Sequence, residues 1–115
     1  MHELSIALNI LNSLQRYAVE NNIKEISEIS LKIGKMQAVV PDSLEFLYNM
    51  AKEEFDYAKD SKIRMNFVDI KAKCDICDEV FTMEMLNLIC PNNPEHSLHI
   101  IEGNELVIES IEVEE

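Results

Sequence analysis

Apolar residues recur at spacings of three and four near the start of the chain. Leu4, Ala7, Leu8, Leu11, Leu14 and Ala18 share one helical face, while Asn9, Asn12, Arg16 and Glu20 lie largely on the other. This spacing predicts an amphipathic helix over residues 3–21, with Asn21-Asn22 as its stop. The period then changes to two. Ile29, Leu31 and Ile33 alternate with Glu28, Ser30 and Lys32, which predicts a half-buried strand over 26–34 that ends at Gly34. Pro41-Asp42-Ser43 opens a second helix, with Leu44, Leu47, Tyr48, Ala51 and Phe55 on one side. A second strand is expected over 62–72, through Ile63, Met65 and Phe67, then Val68 and Ile70. The change of parity near Val68 marks a bulge or a twist. A last strand over 105–113 carries Leu106, Val107, Ile108, Ile111 and Val113.

Residues 73–103 break this regularity. They show no helical period, yet hold all three cysteines, two of the three prolines and two of the three histidines. Composition narrows what such a segment can be. The chain has 115 residues and is 47% hydrophobic, enough for a real core in one domain-sized unit, with Glu112–Glu115 as a solvated acidic tail. The net charge of -12 argues against nucleic acid and against anionic membrane surfaces, both of which attract basic patches. No apolar run approaches the roughly 18–20 residues of a membrane span. Residues 1–11 lack the basic start and cleavage site of a leader, so a cytoplasmic location is expected. In that compartment three cysteines point to metal or thiol chemistry rather than to structural disulfides.

The cysteine spacing favours zinc. Cys74-Asp75-Ile76-Cys77 is one CxxC knuckle, and Cys90-Pro91-Asn92-Asn93 begins a second that lacks its final cysteine. Asparagine is a poor zinc ligand. Two histidines follow, and Cys3His is an ordinary structural zinc set. His96 is preferred as the fourth ligand, because it lies in a Pro-Glu-His-Ser loop free to turn back. His99 is the alternative, placed in what reads as a strand, and a site with no fourth protein ligand is a third option. A segment of this length holds too little apolar mass to fold alone, so metal binding would supply its stability. A redox CxxC is disfavoured, because Asp75, Asp78 and Glu79 crowd the thiols with negative charge.

The chain opens Met1-His2-Glu3. The Met1 amine, the His2 backbone nitrogen and the His2 imidazole can form fused chelate rings on one metal, with the Glu3 carboxylate nearby. Nitrogen-rich sets of that kind suit Ni(II) or Cu(II). Alone, a His-Glu start is the ordinary beginning of a surface helix, with Glu3 favoured by the helix dipole.

The combination is more specific. Met1-His2-Glu3-Leu4-Ser5, Ile33-Gly34, Pro41-Asp42-Ser43-Leu44, Cys74-x2-Cys77, Cys90-Pro91 and Gly103-Asn104-Glu105-Leu106 occur in one order over nearly the whole chain. In these motifs the sequence resembles the hydrogenase nickel-incorporation accessory proteins of the HypA/HybF family. The resemblance implies an α+β fold: a small three-stranded sheet with two helices, plus an inserted zinc-ribbon-like domain. It implies a nickel-binding domain over 1–70 and 104–115 and a zinc-binding domain over 71–103. It places nickel at His2 and Glu3, with the Met1 amine as a further donor, and zinc at Cys74, Cys77 and Cys90. The fourth zinc ligand does not carry over, since Asn93 stands in its place. Asp42 is the local match to carboxylates that the family carries near the second helix.

The implied protein is a nickel metallochaperone and not an enzyme. Its implied partners are a nickel-handling GTPase and the large subunit of a nickel-iron hydrogenase, with urease maturation proteins as a further class. The chain itself is expected to be a monomer or a weak homodimer. Two rivals compete with this reading. A zinc-ribbon adaptor without nickel function explains the cysteines alone, and a thiol enzyme would use Cys74 and Cys77. A phosphate-binding loop is excluded, because Gly34 and Gly103 are the only glycines.

Overall fold

A computed structural model describes residues 3–114. Helix α1 spans Glu3–Glu20 and strand β1 spans Glu25–Gly34. Helix α2 spans Pro41–Ala51, and strands β2 (Lys62–Val68) and β3 (Ile70–Cys74) follow it. Strands β4 (Glu79–Met83), β5 (Leu98–Glu102) and β6 (Leu106–Glu114) complete the order. Short 3-10 turns occupy Lys35–Gln37, Lys52–Glu54 and Asp56–Ala58. The six strands form two three-stranded sheets, ordered β2-β1-β6 and β4-β3-β5.

The chain gathers into two compact units. The first comprises residues 1–31, 39–66 and 108–115, and the second residues 32–38 and 67–107. In the first unit α1 packs against α2. The buried stripe of α1 is Glu3, Ile6, Ala7, Ile10, Leu11, Leu14 and Ala18. This differs from the expected face. Leu4 and Leu8 are exposed, while Ile6 and Ile10 take the inward positions. Both sets fit a period of three to four, and packing chose the arc that carries the β-branched isoleucines.

Pro41 suits the first turn of α2, where its missing N–H costs nothing. The helix buries Leu44 and Tyr48 and ends at Ala51, so Phe55 reaches the core from beyond it. The buried polar groups here are paired. Ser61 Oγ donates to Ala58 O at 2.6 Å, so the Tyr48 hydroxyl is the donor in its 2.5 Å bond to Ser61 Oγ. The Tyr57 hydroxyl donates to Leu11 O at 2.5 Å. Burial raises the pKa of both phenols above the ordinary value.

The expected strand over 62–72 is two strands. It breaks at Asp69, one residue past the parity change at Val68, and its halves belong to different sheets. Lys35 holds the break: its ammonium lies 2.6 Å from Asp69 Oδ1 and 2.9 Å from Glu84 Oε2. These two carboxylates, Asp69 foremost, hold the Lys35 pKa above its ordinary value. In the same unit Gly34 lies against Gly103. Gly34 N donates to Glu105 O at 2.7 Å, and Met36 N donates to Gly103 O at 2.9 Å. A Cβ on Gly34 would overlap the Gly103 backbone. Gly103 itself has φ +109°, a conformation that favours glycine.

Candidate metal centre

The second sheet and the turns between its strands bring four side chains together. Strand β3 pairs antiparallel with β4 and with β5. Its buried face carries Ala72 and Cys74, which cluster with Cys90 and Leu98. Cys77, Phe81, Met83 and Ile100 pack around them. This is a small core, which is why a cross-linking ion would matter to it.

Cys74 ends β3, and the chain turns at once. Asp78 N donates to Cys74 O at 2.8 Å, with Asp78 in the left-handed region at φ 60°. The turn brings the Cys77 N–H to 3.4 Å from Cys74 Sγ. The second turn is built differently. An isolated antiparallel bridge joins Ile89 to Ser97, Cys90 N donates to His96 O at 3.2 Å, and His96 N donates to Asn93 O at 3.0 Å. Residues 90–96 therefore fold back on themselves and return His96 to the cysteines.

The ligand atoms of Cys74, Cys77, Cys90 and His96 all lie within 4.8 Å of one another. Cys77 Sγ is 3.8 Å from Cys90 Sγ. His96 Nδ1 is 3.5 Å from Cys77 Sγ and 3.8 Å from Cys74 Sγ. With Zn–S near 2.3 Å and Zn–N near 2.05 Å, a tetrahedron has S–S edges of about 3.8 Å and S–N edges of about 3.6 Å. The three distances fit that figure, so the cluster is compatible with a zinc-ribbon-like site. His99 lies outside it. On β5, its Nδ1 is 3.2 Å from Asp75 Oδ2.

The donor chemistry also fits a dication. The Cys77 backbone N–H, and behind it that of Ile76, lowers the Cys74 thiol pKa against the cost of burial. The Cys77 thiol is pushed up to about 11, first by Cys74 and then by burial and Cys90. Cys74 and Cys90 thus oppose the ionisation of Cys77, and a central 2+ charge would reverse that balance. The acidic side chains are not the cause. Asp78 lies 3.1 Å from Lys73 Nζ, and Asp75 faces His99.

At the other candidate position, Glu3 begins α1 and is buried. Its Oε2 accepts a hydrogen bond from the Val40 N–H at 3.1 Å, directly before α2. Asp42 is exposed in the first turn of α2. His2 and the Met1 amine lie outside the described residues. Sequence reasoning missed two contacts. It counted Asn93 only as an absent cysteine, though its side chain reaches His96 Nε2 at 3.3 Å. It also gave no hint of the Val40 bond, which is a main-chain group and leaves no trace in residue identity.

The family described as "Hydrogenase/urease nickel incorporation, metallochaperone, hypA" matches residues 1–113. The chain belongs to the HypA family. The hydrogenase maturation factor HypA of Aquifex aeolicus (strain VF5) is 33% identical over 114 residues, covering 99% of this chain and 98% of its own. HypA of Dehalococcoides mccartyi (strain ATCC BAA-2266 / KCTC 15142 / 195) is 32% identical over 115 residues, covering 100% and 96%. The solution structure of the Ni metallochaperone HypA from Helicobacter pylori covers 98% of this chain and 97% of that one, with a TM-score of 0.71 and 23% identity. At that identity the HypA structure speaks to the fold, which is α+β with two helices and small sheets. No helix among the described residues is long and apolar enough to cross a membrane.

Proposed function

We propose that the chain is a nickel metallochaperone that binds Ni(II) at its N-terminal residues and passes it on during maturation of a nickel-iron hydrogenase. The observation that carries the reading is the family match from residue 1 to residue 113, which includes the Met-His-Glu opening. His2 supplies imidazole and backbone nitrogen, with the Met1 amine as a further donor. Glu3 lies beside them in sequence, its carboxylate engaged with Val40 N, so it orients the first turn of α1 while lending negative charge to the cargo ion. Nitrogen donors must lose protons to bind, so nickel affinity falls as pH falls. The nickel leaves by ligand exchange and the protein catalyses no reaction. Its partners are a nickel-handling GTPase and the hydrogenase large subunit, in the cytoplasm, with urease maturation proteins as a further class.

Zinc is the resident ion in this reading. Cys74, Cys77, Cys90 and His96 hold it, within the domain over 71–103, and the nickel-binding domain is 1–70 with 104–115. The zinc ties the two turns of the ribbon and does no redox chemistry. The distances between these donors support it.

Calorimetric nickel titration of untagged, zinc-loaded protein tests the proposal beside His2→Ala. One tight site in the first and none in the second is expected. Equal weak binding in both would leave a zinc-ribbon adaptor as the better description.

A further inference from the structure

Asn93 stands where a second CxxC would place its last cysteine. We propose that Asn93 is a positioning residue that holds His96 as the Nδ1 donor of the metal cluster. The proposal rests on the Cys3His reading above.

A histidine six residues beyond Cys90 reaches the same centre only if the chain between them doubles back. Asn93 makes that turn. Its Oδ1 accepts the Glu95 N–H at 2.9 Å, and its carbonyl accepts the His96 N–H at 3.0 Å. Asparagine favours such turns because its short amide bonds the backbone two residues on. Pro91 and Pro94 flank it and fix φ on either side. Cysteine at 93 would provide a ligand but no such cap.

The same side chain meets the imidazole. His96 Nδ1 faces the Cys77 and Cys74 sulfurs at 3.5 and 3.8 Å, while Nε2 faces the Asn93 amide at 3.3 Å. Which ring nitrogen binds a metal is set by the hydrogen bond that the other makes. With Nδ1 directing its lone pair at the ion, Nε2 carries the ring's proton and needs an acceptor. A half-turn of the Asn93 amide about Cβ–Cγ presents Oδ1 to Nε2. It releases the Glu95 N–H, which belongs to an exposed residue, to water. The turned amide then fixes the ring, while the bond from His96 N to the Asn93 carbonyl and the two prolines keep the loop. The Asn93–His96 pair replaces the cysteine of a full second knuckle.

The test compares zinc-loaded wild type with Asn93→Ala, Asn93→Asp and His96→Ala. Zinc affinity is read by competition with a chromophoric chelator, the donor set by the Co(II) spectrum, and the ring by the His96 Nε2 proton in NMR. Asn93→Ala should weaken zinc about 10–100-fold, the usual cost of losing an outer-shell partner. Its cobalt spectrum should stay that of three sulfurs and one nitrogen, and its Nε2 proton should exchange rapidly with water. Asn93→Asp keeps an oxygen acceptor and the turn, and should retain both affinity and the protected proton. If His96→Ala binds zinc as wild type does, with the same cobalt spectrum, the Cys3His reading itself fails. If His96→Ala weakens zinc but Asn93→Ala does not, the Cys3His reading stands and the role of Asn93 is overturned. Equal weakening in Asn93→Ala and Asn93→Asp overturns it as well.

Discussion

Gly34→Ala is the sharpest probe of how the second unit is closed. Gly34 has φ -72°, a value any residue adopts, so the demand here is for space and not for conformation. The added methyl would overlap the backbone of Gly103, and Asn104 N stands 2.6 Å from the same point. The crowding atoms are one backbone peptide group, with no flexible side chain to move away. The two segments must separate. Separation strains or breaks the bonds from Gly34 N to Glu105 O and from Met36 N to Gly103 O, at 2.7 and 2.9 Å. A net backbone hydrogen bond contributes about 1 kcal/mol, and overpacking a tight site costs about 1–3 kcal/mol. The expected loss is therefore about 3–5 kcal/mol, a large part of the ~5–15 kcal/mol of an ordinary domain. Urea unfolding followed by circular dichroism, at fixed zinc, measures it. Ser110→Ala, an exposed change on β6, should move stability by less than about 0.5 kcal/mol and serves as the control. A loss below ~1 kcal/mol for Gly34→Ala would show that the two strands of chain part easily and would refute the argument.

Two further outcomes are expected. Glu3→Ala removes the acceptor of the Val40 N–H and should cost about 1.5–3 kcal/mol in thermal unfolding without nickel, while Glu3→Gln, which keeps an oxygen acceptor, should cost less. Burial holds the Tyr48 and Tyr57 phenols above their ordinary pKa, so the folded state keeps their protons longer than the unfolded chain does. Stability should then be flat below pH ~10 on their account and fall as pH rises above it, and a Tyr57→Phe variant should show a shallower alkaline decline.

Much of this was legible in the chain before the structure, for identifiable reasons. Helix α2 was marked by Pro41 and by Leu44 and Tyr48 four apart, and strand β1 by its alternation. The three cysteines stood out by spacing and His96 by its place in a loop free to turn back, and the structure brings these four side chains together. What failed to show was anything decided by packing between segments. The choice of Ile6 and Ile10 over Leu4 and Leu8 depends on what α1 meets, not on its own period. The break at Asp69 appeared only as a parity change, because Phe67, Val68 and Ile70 are all good strand formers. Strand β4 spans five residues among turns, too short for alternation to rise above the noise, whereas β5 showed as the strand-like stretch around His99.

The join between Ile70 and Gly103 bears on how the chain assembles. A Cβ on Gly103 would lie 2.6 Å from Ile70 Cα, so the two ends of the ribbon meet. Strand β6 begins three residues later and takes its place beside β1 in the first sheet. With the ribbon folded, β6 is delivered by a short tether. With the ribbon open, the same pairing must first close a loop of about thirty disordered residues, at an entropic cost of roughly 3 kcal/mol. The ribbon thus sets the effective concentration of the last strand, and opening it loosens a sheet that contains none of the four clustered cysteine and histidine side chains.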